Sequence, residues 1–541
     1  MSNTATANSA PIVAFDEGKI DAILADLDQC RLPGAAVGIA IDGEPVYRKG
    51  FGLASMELPV VLSPAVRMRI GSTSKHFTCL AYMLLCEAGK AGIDDPVGKY
   101  LPELHPVARQ VTLRQLMGNT SGLRDVIDIK LQLSGSSGRP ISSSELKDFY
   151  RDINDVNAPP GSAWIYNNGG YIILSAVIER ITGQPLEDVL QERIFAPTGM
   201  RDTLLRRWDT DFTPNSATVH MRNPAGAYQR SYWGVDFAGG AAMVSSVDDM
   251  LRWLAHMDTP VVGNAETWTA MRTSQILTNG MPTGYGLGLM TGRYRGIDRL
   301  SHAGGWLGGN AQMLKLPAAG LDIVVMVNRH DVSSVSLGNK IVDACLPNLP
   351  PRSSSRGDGV STGVFRSPKT GRVVQLCASS PAPWAQEGRQ VISIDGMDMS
   401  AEFDETNVLR PTGVFATVKQ TVTLVGDPAN PRAVRLDDFG HIDEAVAVRR
   451  SDSFNKRAFV GQYRSNSTGT EGLITEGGTG LQLKTAGRFG TTLHHLEYLA
   501  DGIWRARQPD ELAGVAILSF DEDGAGFRFS TMYTRALHFR A

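Results

Sequence analysis

The sequence predicts an α+β domain followed by two small, all-antiparallel β-domains. Three observations predict it. Through about residue 345, apolar runs of strand length alternate with segments of 3.6-residue apolar period. Pro347 to Thr362 (PNLPPRSSSRGDGVST) then breaks the pattern with Pro, Ser and Gly, the composition of a linker. From about Val364 onward, short alternating strands punctuated by turn residues replace helices.

Composition narrows the function classes. A chain of 541 residues exceeds one ordinary domain. Its 42% hydrophobic and 20% charged content suits a packed globular protein. A net charge of −3 excludes a general basic field for nucleic acid. No apolar run reaches the ~18–20 residues of a membrane span, and the first residues show no basic-then-apolar leader. Neither nucleic acid nor membrane is an expected partner. Cys30, Cys79, Cys86, Cys345 and Cys377 are scattered, with no CxxC pair. We expect buried free thiols in a reducing cytoplasm, with no disulfide framework, metal site or cofactor.

The elements follow in order. Ala36 to Ile41 is an apolar strand, Asp42-Gly43 a hairpin turn, and Val46 opens the returning strand. Phe77, Leu80, Ala81, Leu84, Leu85 and Ala88 share one helical face, after Gly71 and a Ser/Thr run and before Gly89. Tyr171 to Ile181 is a helix closed by Thr182-Gly183. Ser246-Val-Asp-Asp249 has capping-box spacing, with Asp for the usual Glu, and opens a helix Met250–His256. Met313–Leu316 and Ile323–Val327 are strands separated by Pro317–Gly320, and Val335 to Cys345 is a final helix. The later strands include Arg372–Leu376, Val391–Ile394, Ala416–Leu424, Ala433–Leu436, Gly472–Ile474, Gly480–Lys484, Gly502–Ala506 and Val515–Phe520. The expected domains are 1–346, a linker 347–363, and β-domains 364–453 and 454–541; a single larger barrel is the alternative.

Three stretches carry chemistry. In Gly71-Ser72-Thr73-Ser74-Lys75-His76, positions i and i+3 of a first helical turn bring Ser72 Oγ and Lys75 Nζ together. Serine needs its proton removed to attack, and a lysine removes it only when burial lowers its pKa. The Ser72 N–H can also face an oxyanion. Next, Tyr166-Asn167-Asn168 places a phenol and an amide before a helix. The phenol can carry a proton to a leaving group; the amide can hold a substrate carbonyl or orient the lysine. Third, Ser301-His302-Ala303-Gly304-Gly305 precedes strand-like sequence, and small residues let a substrate lie along a strand edge with Gly305 N–H as a second oxyanion donor. Taken singly, each has an ordinary reading: a plain helix turn, a buried Tyr on backbone, a satisfied core histidine.

Together, in the order SxxK, YxN, HxG, they resemble the serine β-lactamase and penicillin-binding-protein superfamily. Supporting stretches are Val111 to Leu123 with its Asn-Thr-Ser-Gly-Leu turn, Gly239 to Ser246, and Tyr285-Gly-Leu-Gly-Leu289. The resemblance covers about residues 15–345. His-x-Gly in place of Lys-Thr-Gly, with two appended β-domains, is similar to the D-aminopeptidase branch of peptidase family S12. It implies an antiparallel sheet flanked by helices, then two small antiparallel β-barrels. It also implies a metal-independent, cytoplasmic, homodimeric serine hydrolase working through an acyl-enzyme on peptides, amides or esters, and open to inhibition by β-lactams. A D-amino-acid amidase or esterase, or a slowly deacylating penicillin-binding-like sensor, remains as an alternative. The implied catalytic set is Ser72, Lys75, Tyr166 and His302, with Asn168, Gly304 and Gly305 on substrate; Arg488 is a further substrate candidate, at a loop where the family carries an amine-binding acid.

Arg488 enters through a loop the resemblance implies, reaching from the second β-domain into the active site. The candidate is Lys484-Thr-Ala-Gly-Arg-Phe-Gly-Thr-Thr492, which holds two cations and no acid. Such a tip suits an acidic or N-acylated substrate; alternatively, an acid of the catalytic domain holds a substrate amine. Two literal motifs are expected to be decoys. Lys369-Thr370-Gly371 sits in a hairpin turn, and Gly359-Val-Ser361-Thr-Gly363 follows a linker rather than a strand.

Overall fold

The computed structural model describes residues 12–135, 139–223, 225–350, 361–379, 390–404, 406, 408–412, 419–452, 454–478, 480–509 and 514–541. Residues 351–360 of the expected linker, Gly359 of the second decoy and the start of the expected strand Ala416–Leu424 fall outside these.

Among the described residues, six antiparallel strands form the central sheet. Their order is Met290–Tyr294, Ile297–Trp306, Gly309–Leu316, Leu321–Val327, Ala35–Ile41 and Glu44–Phe51. Period-2 alternation divides its two faces. Val37, Ile39, Ile323 and Val325 pack under the helices Glu17–Leu24 and Ser334–Cys345. Ala36, Ala40, Val324 and Met326 face the larger helical core around Lys75–Glu87 and Val247–His256. The first two strands meet at Asp42-Gly43, both at positive φ (51° and 81°), as a two-residue hairpin demands.

The amphipathic segment forms the helix Lys75–Glu87, but its N-terminal turn is not α-helical. Gly71–Ser74 is a 3₁₀ turn, in which i and i+3 eclipse still more closely. The capping box at Ser246 is half present. Ser246 Oγ accepts from Asp249 N at 3.1 Å, while the Asp249 carboxylate turns to Thr203, Asp202 N and Arg252.

Two closed eight-stranded antiparallel barrels follow, strands running from Gly363 to Ala447 and from Gly461 to Arg540. Lys369-Thr370-Gly371 is indeed the turn of the first hairpin, with Ser367 and Thr370 hydroxyls on Asp443. All five cysteines are free, but only Cys79 and Cys345 are buried; Cys30 is exposed, because it lies in the loop after the first helix.

Candidate active site

The site assembles where the 3₁₀ turn, the sheet edge and two helix N-termini meet. Lys75 is fully buried, and its Nζ lies 3.2 Å from Ser72 Oγ, 2.8 Å from Asn168 Oδ1 and 2.8 Å from the Gly240 carbonyl. Burial pushes its pKa down to about 7, against a smaller upward pull from the Asp125 charge. A neutral amine in this slot donates two N–H bonds, to Asn168 and Gly240, and turns its lone pair to the Ser72 hydroxyl. That is the arrangement of a general base beside its nucleophile.

Asn168 begins the helix Asn168–Thr182, whose N-cap is Asn167, accepting from Gly170 N at 2.7 Å. Asp125 fixes this entry. Fully buried, it caps its own helix Val126–Leu133 and also accepts from Asn168 N at 2.7 Å and Gly169 N at 3.3 Å. Asn119, in left-handed backbone (φ 57°), accepts from Asn167 N at 3.0 Å. The Asn-Thr-Ser-Gly-Leu turn thus holds the Tyr166 loop in place. The Asn168 amide oxygen orients the lysine by accepting from Lys75 Nζ.

Tyr166 places its ring centroid 4.7 Å from Lys75 Nζ. Burial holds its phenol far above the ordinary range, with Ser72 opposing as a hydrogen-bond partner. The phenol is therefore a neutral donor. Replacing Tyr166 with Phe is expected to lower kcat about 100-fold on amides, the scale of one lost proton donor, measured by steady-state kinetics.

His302 lies on the strand beside the nucleophile turn, where its carbonyl accepts from Thr73 Oγ1. It is buried, with Nε2 at 2.9 Å from Tyr285 OH and Nδ1 at 2.7 Å from the Ala303 carbonyl. The carbonyl can only accept, so Nδ1 carries the proton and Nε2 takes the Tyr285 hydroxyl. Burial and the nearby Lys75 push the imidazole pKa down to about 3. Both nitrogens are engaged and burial disfavours the charged ring, so the imidazole is placed to orient Tyr285.

The strand Ile297–Trp306 lies directly against the nucleophile turn. Thr73 Oγ1 donates to the His302 carbonyl at 3.2 Å. A Cβ added at Gly304 would sit 1.7 Å from the Ile70 carbonyl and 3.1 Å from Ser72 N; one added at Gly305 would meet nothing within 4 Å. Gly304 lets the strand approach, and Gly305 faces open space. Gly304→Ala should therefore cost about 1–3 kcal/mol of stability and misplace the nucleophile, read as a lower Tm with lower kcat.

Arg488 is held on the surface of the catalytic domain. Its guanidinium pairs with Asp152 at 2.5 Å and lies over the Phe149 ring. The hairpin that carries it docks on the catalytic domain through Gly135 N to Thr492 Oγ1 (2.8 Å) and His494 Nε2 to the Gln132 carbonyl (2.7 Å). The second barrel instead reaches the site through the strap Thr531–Ala536, which puts the Tyr533 ring 5.9 Å from that of Tyr166. Asp128 accepts from the Thr531 and Thr534 hydroxyls, each at 2.6 Å, and burial pushes its pKa up to about 7. Sequence reasoning singled out neither Tyr533, Asp125 nor Asp128 as functional. The Asp-x-x-Asp spacing at the start of an apolar helix was the available signal for the two acids. Among the described residues, no group of three or more His, Cys, Asp or Glu is placed to hold a metal.

The Beta-lactamase family model matches residues 20–344. The D-aminopeptidase of Brucella ovis is 28% identical over 457 residues, covering 82% of each chain. That of Cereibacter sphaeroides is 27% identical over 347 residues, 64% of this chain and 66% of the relative. Among solved structures, the octameric penicillin-binding protein homologue from Pyrococcus abyssi superposes with a TM-score of 0.58 at 21% identity, covering 80% of this chain and all of the other (100%). The D-amino acid amidase from Ochrobactrum anthropi SV3 gives 0.51 at 23% identity, over 60% of this chain and 97% of the other. With a match that spans more than half its length and a Ser-Lys-Tyr site in place, the chain belongs to the Beta-lactamase family.

Proposed function

We propose that the chain is a D-stereospecific serine aminopeptidase that releases N-terminal D-amino acids from peptides, amides or esters. The observation that carries the chemistry is the buried Lys75 amine, 3.2 Å from Ser72 Oγ and oriented by Asn168 and Gly240. Lys75 takes the Ser72 proton as Oγ attacks the carbonyl. The Ser72 and Gly305 N–H groups hold the oxyanion. Tyr166 passes a proton to the leaving amine, the acyl-enzyme forms, and water hydrolyses it with the proton path reversed. The D preference rests on the likeness to the D-aminopeptidases of Brucella ovis and Cereibacter sphaeroides.

Charge supports an aminopeptidase over a carboxypeptidase or lactamase. Lys at the third motif would suit a substrate carboxylate; here that position is a neutral, fully bonded His302. An aminopeptidase must instead hold an α-ammonium. We assign that role to Asp128, beneath the strap that carries Tyr533. One of its carboxylate oxygens takes two threonine hydroxyls, and an arriving ammonium would ionise a carboxyl that burial holds near neutrality. Asp128→Asn is expected to lower kcat/KM at least tenfold for free-amine substrates and to spare their N-acetyl counterparts. Equal loss on both would remove the assignment.

The reading extends to a cytoplasmic homodimer open to β-lactam inhibition. Five free thiols suit a reducing compartment; the dimer and the inhibition follow from the family resemblance. The experiment compares D-Ala-p-nitroanilide, its L enantiomer and N-acetyl-D-Ala-p-nitroanilide. Hydrolysis of the free-amine D substrate alone supports the aminopeptidase. Preference for the acetylated compound or simple esters makes it an amidase or esterase, and a burst without turnover makes it a sensor.

A further inference from the structure

The first barrel has no part in the chemistry described so far, yet its hairpin tip is built into the wall of the site. The tip joins the strands Asn430–Asp438 and His441–Ala447 through Phe439-Gly440. Both residues have positive φ, 54° and 82°. A two-residue turn of this kind favours Asn or Asp at its first position, and a bulky side chain there is strained. Phe439 is nonetheless buried, its ring 5.6 Å from that of Trp164. Trp164 in turn lies 6.3 Å from the Tyr166 ring and 5.8 Å from that of Tyr285. Asn279 Nδ2 donates to the Phe439 carbonyl at 2.9 Å, and His441 Nε2 lies 2.8 Å from the Ser162 carbonyl.

The neighbouring residue ties the tip to the other barrel. Asp438 is buried, and its Oδ2 pairs with Arg372 at 2.6 Å and with Arg535 at 2.9 Å. Arg535 belongs to the strap. Its N–H donates to Asn157 Oδ1 at 2.9 Å, and Asn157 Nδ2 donates to the Tyr533 carbonyl at 2.8 Å. Arg124 holds the Arg535 carbonyl at 2.5 Å. One hairpin of the first barrel thus braces two of the rings beside Tyr166: Trp164 through Phe439, and Tyr533 through Asp438 and Arg535.

We propose that the first barrel is a positioning element of the active site, in which Phe439 and Asp438 fix the Trp164 and Tyr533 rings that set the place of Tyr166. This rests on Tyr166 as donor to the leaving group. A loosened Tyr166 should then impair expulsion of a poor leaving group, which needs a proton, and spare a good one, which does not.

The test measures kcat/KM for a D-alanyl amide and for the p-nitrophenyl ester of the same acyl group. Full-length Phe439→Asn supplies the residue the turn prefers and removes the ring from Trp164. Arg535→Lys keeps the charge opposite Asp438 and loses the fork. Both should lose about tenfold on the amide and less than twofold on the ester, with unchanged far-UV circular dichroism. Tyr166→Phe is the reference. If it shows no amide-selective loss, the assignment of Tyr166 falls. If it does, and the folded barrel variants keep the wild-type amide-to-ester ratio or lose both activities equally, the proposal is overturned. Should Phe439→Asn not fold, Arg535→Lys decides alone.

Discussion

Replacing Ser72 with Ala is expected to lower kcat about a million-fold, the scale of a lost nucleophile, while leaving the fold intact. The hydroxyl sits on a 3₁₀ turn held by other contacts. Ser74 Oγ donates to the Gly71 carbonyl at 2.6 Å and accepts from Met243 N at 3.2 Å, and Thr73 Oγ1 reaches the His302 carbonyl. Lys75 keeps Asn168 and Gly240 when Oγ is gone. Stability should therefore move by no more than about 0.5 kcal/mol. Mass spectrometry of quenched reactions should find an acyl group on the wild-type peptide containing Ser72 and none on the variant. Turnover by the variant within 100-fold of wild type, in protein expressed without contaminating hydrolase, would remove Ser72 from the mechanism.

The parts of the site that sequence reasoning reached are those fixed by local spacing. Ser72 and Lys75 are three residues apart on one turn, so their meeting needs no tertiary information. The same holds for the 42–43 hairpin, whose Gly43 requires positive φ, and for the period-2 strands of both barrels. What it missed is set by long-range contacts. Asp125 acts through backbone amides 43 and 44 residues away. The role of His302 depends on Tyr285, a partner no side-chain period links to it. The family resemblance implies a loop from the second β-domain at the site, and the sequence offers the 484–492 hairpin for it, whereas the strap Thr531–Ala536 brings Tyr533 beside Tyr166. In a closed barrel, which loop meets the neighbouring domain depends on the barrel's rotation, and strand alternation carries no record of it. Phe439 is hidden for the opposite reason: it occupies a turn position where Asn or Asp is the expected residue, so the sequence reads as a poor turn rather than a contact.

Replacing Lys75 tests the base directly, and two substitutions separate the lone pair from the charge. Burial brings the lysine from its usual range down to about 7. Below that pH it is an ammonium with no lone pair for the Ser72 proton; above it, the free amine is ready. Wild-type kcat/KM should thus rise about tenfold per pH unit up to about 7 and then level off. Lys75→Met should cut kcat/KM about 10³–10⁴-fold and remove this limb. Lys75→Arg is the sharper variant. A guanidinium stays protonated throughout the folding range of pH, so it supplies a cation near Ser72 but no base. If Lys75 served only as a fixed charge, Arg would retain much of the activity. Acting as a base, it should leave Lys75→Arg as inactive as Lys75→Met, and with a lower Tm, because the slot between Asn168 and Gly240 must then hold a charge it cannot discharge. An arginine variant within tenfold of wild type would overturn the general-base assignment and leave Ser72 in need of another proton acceptor.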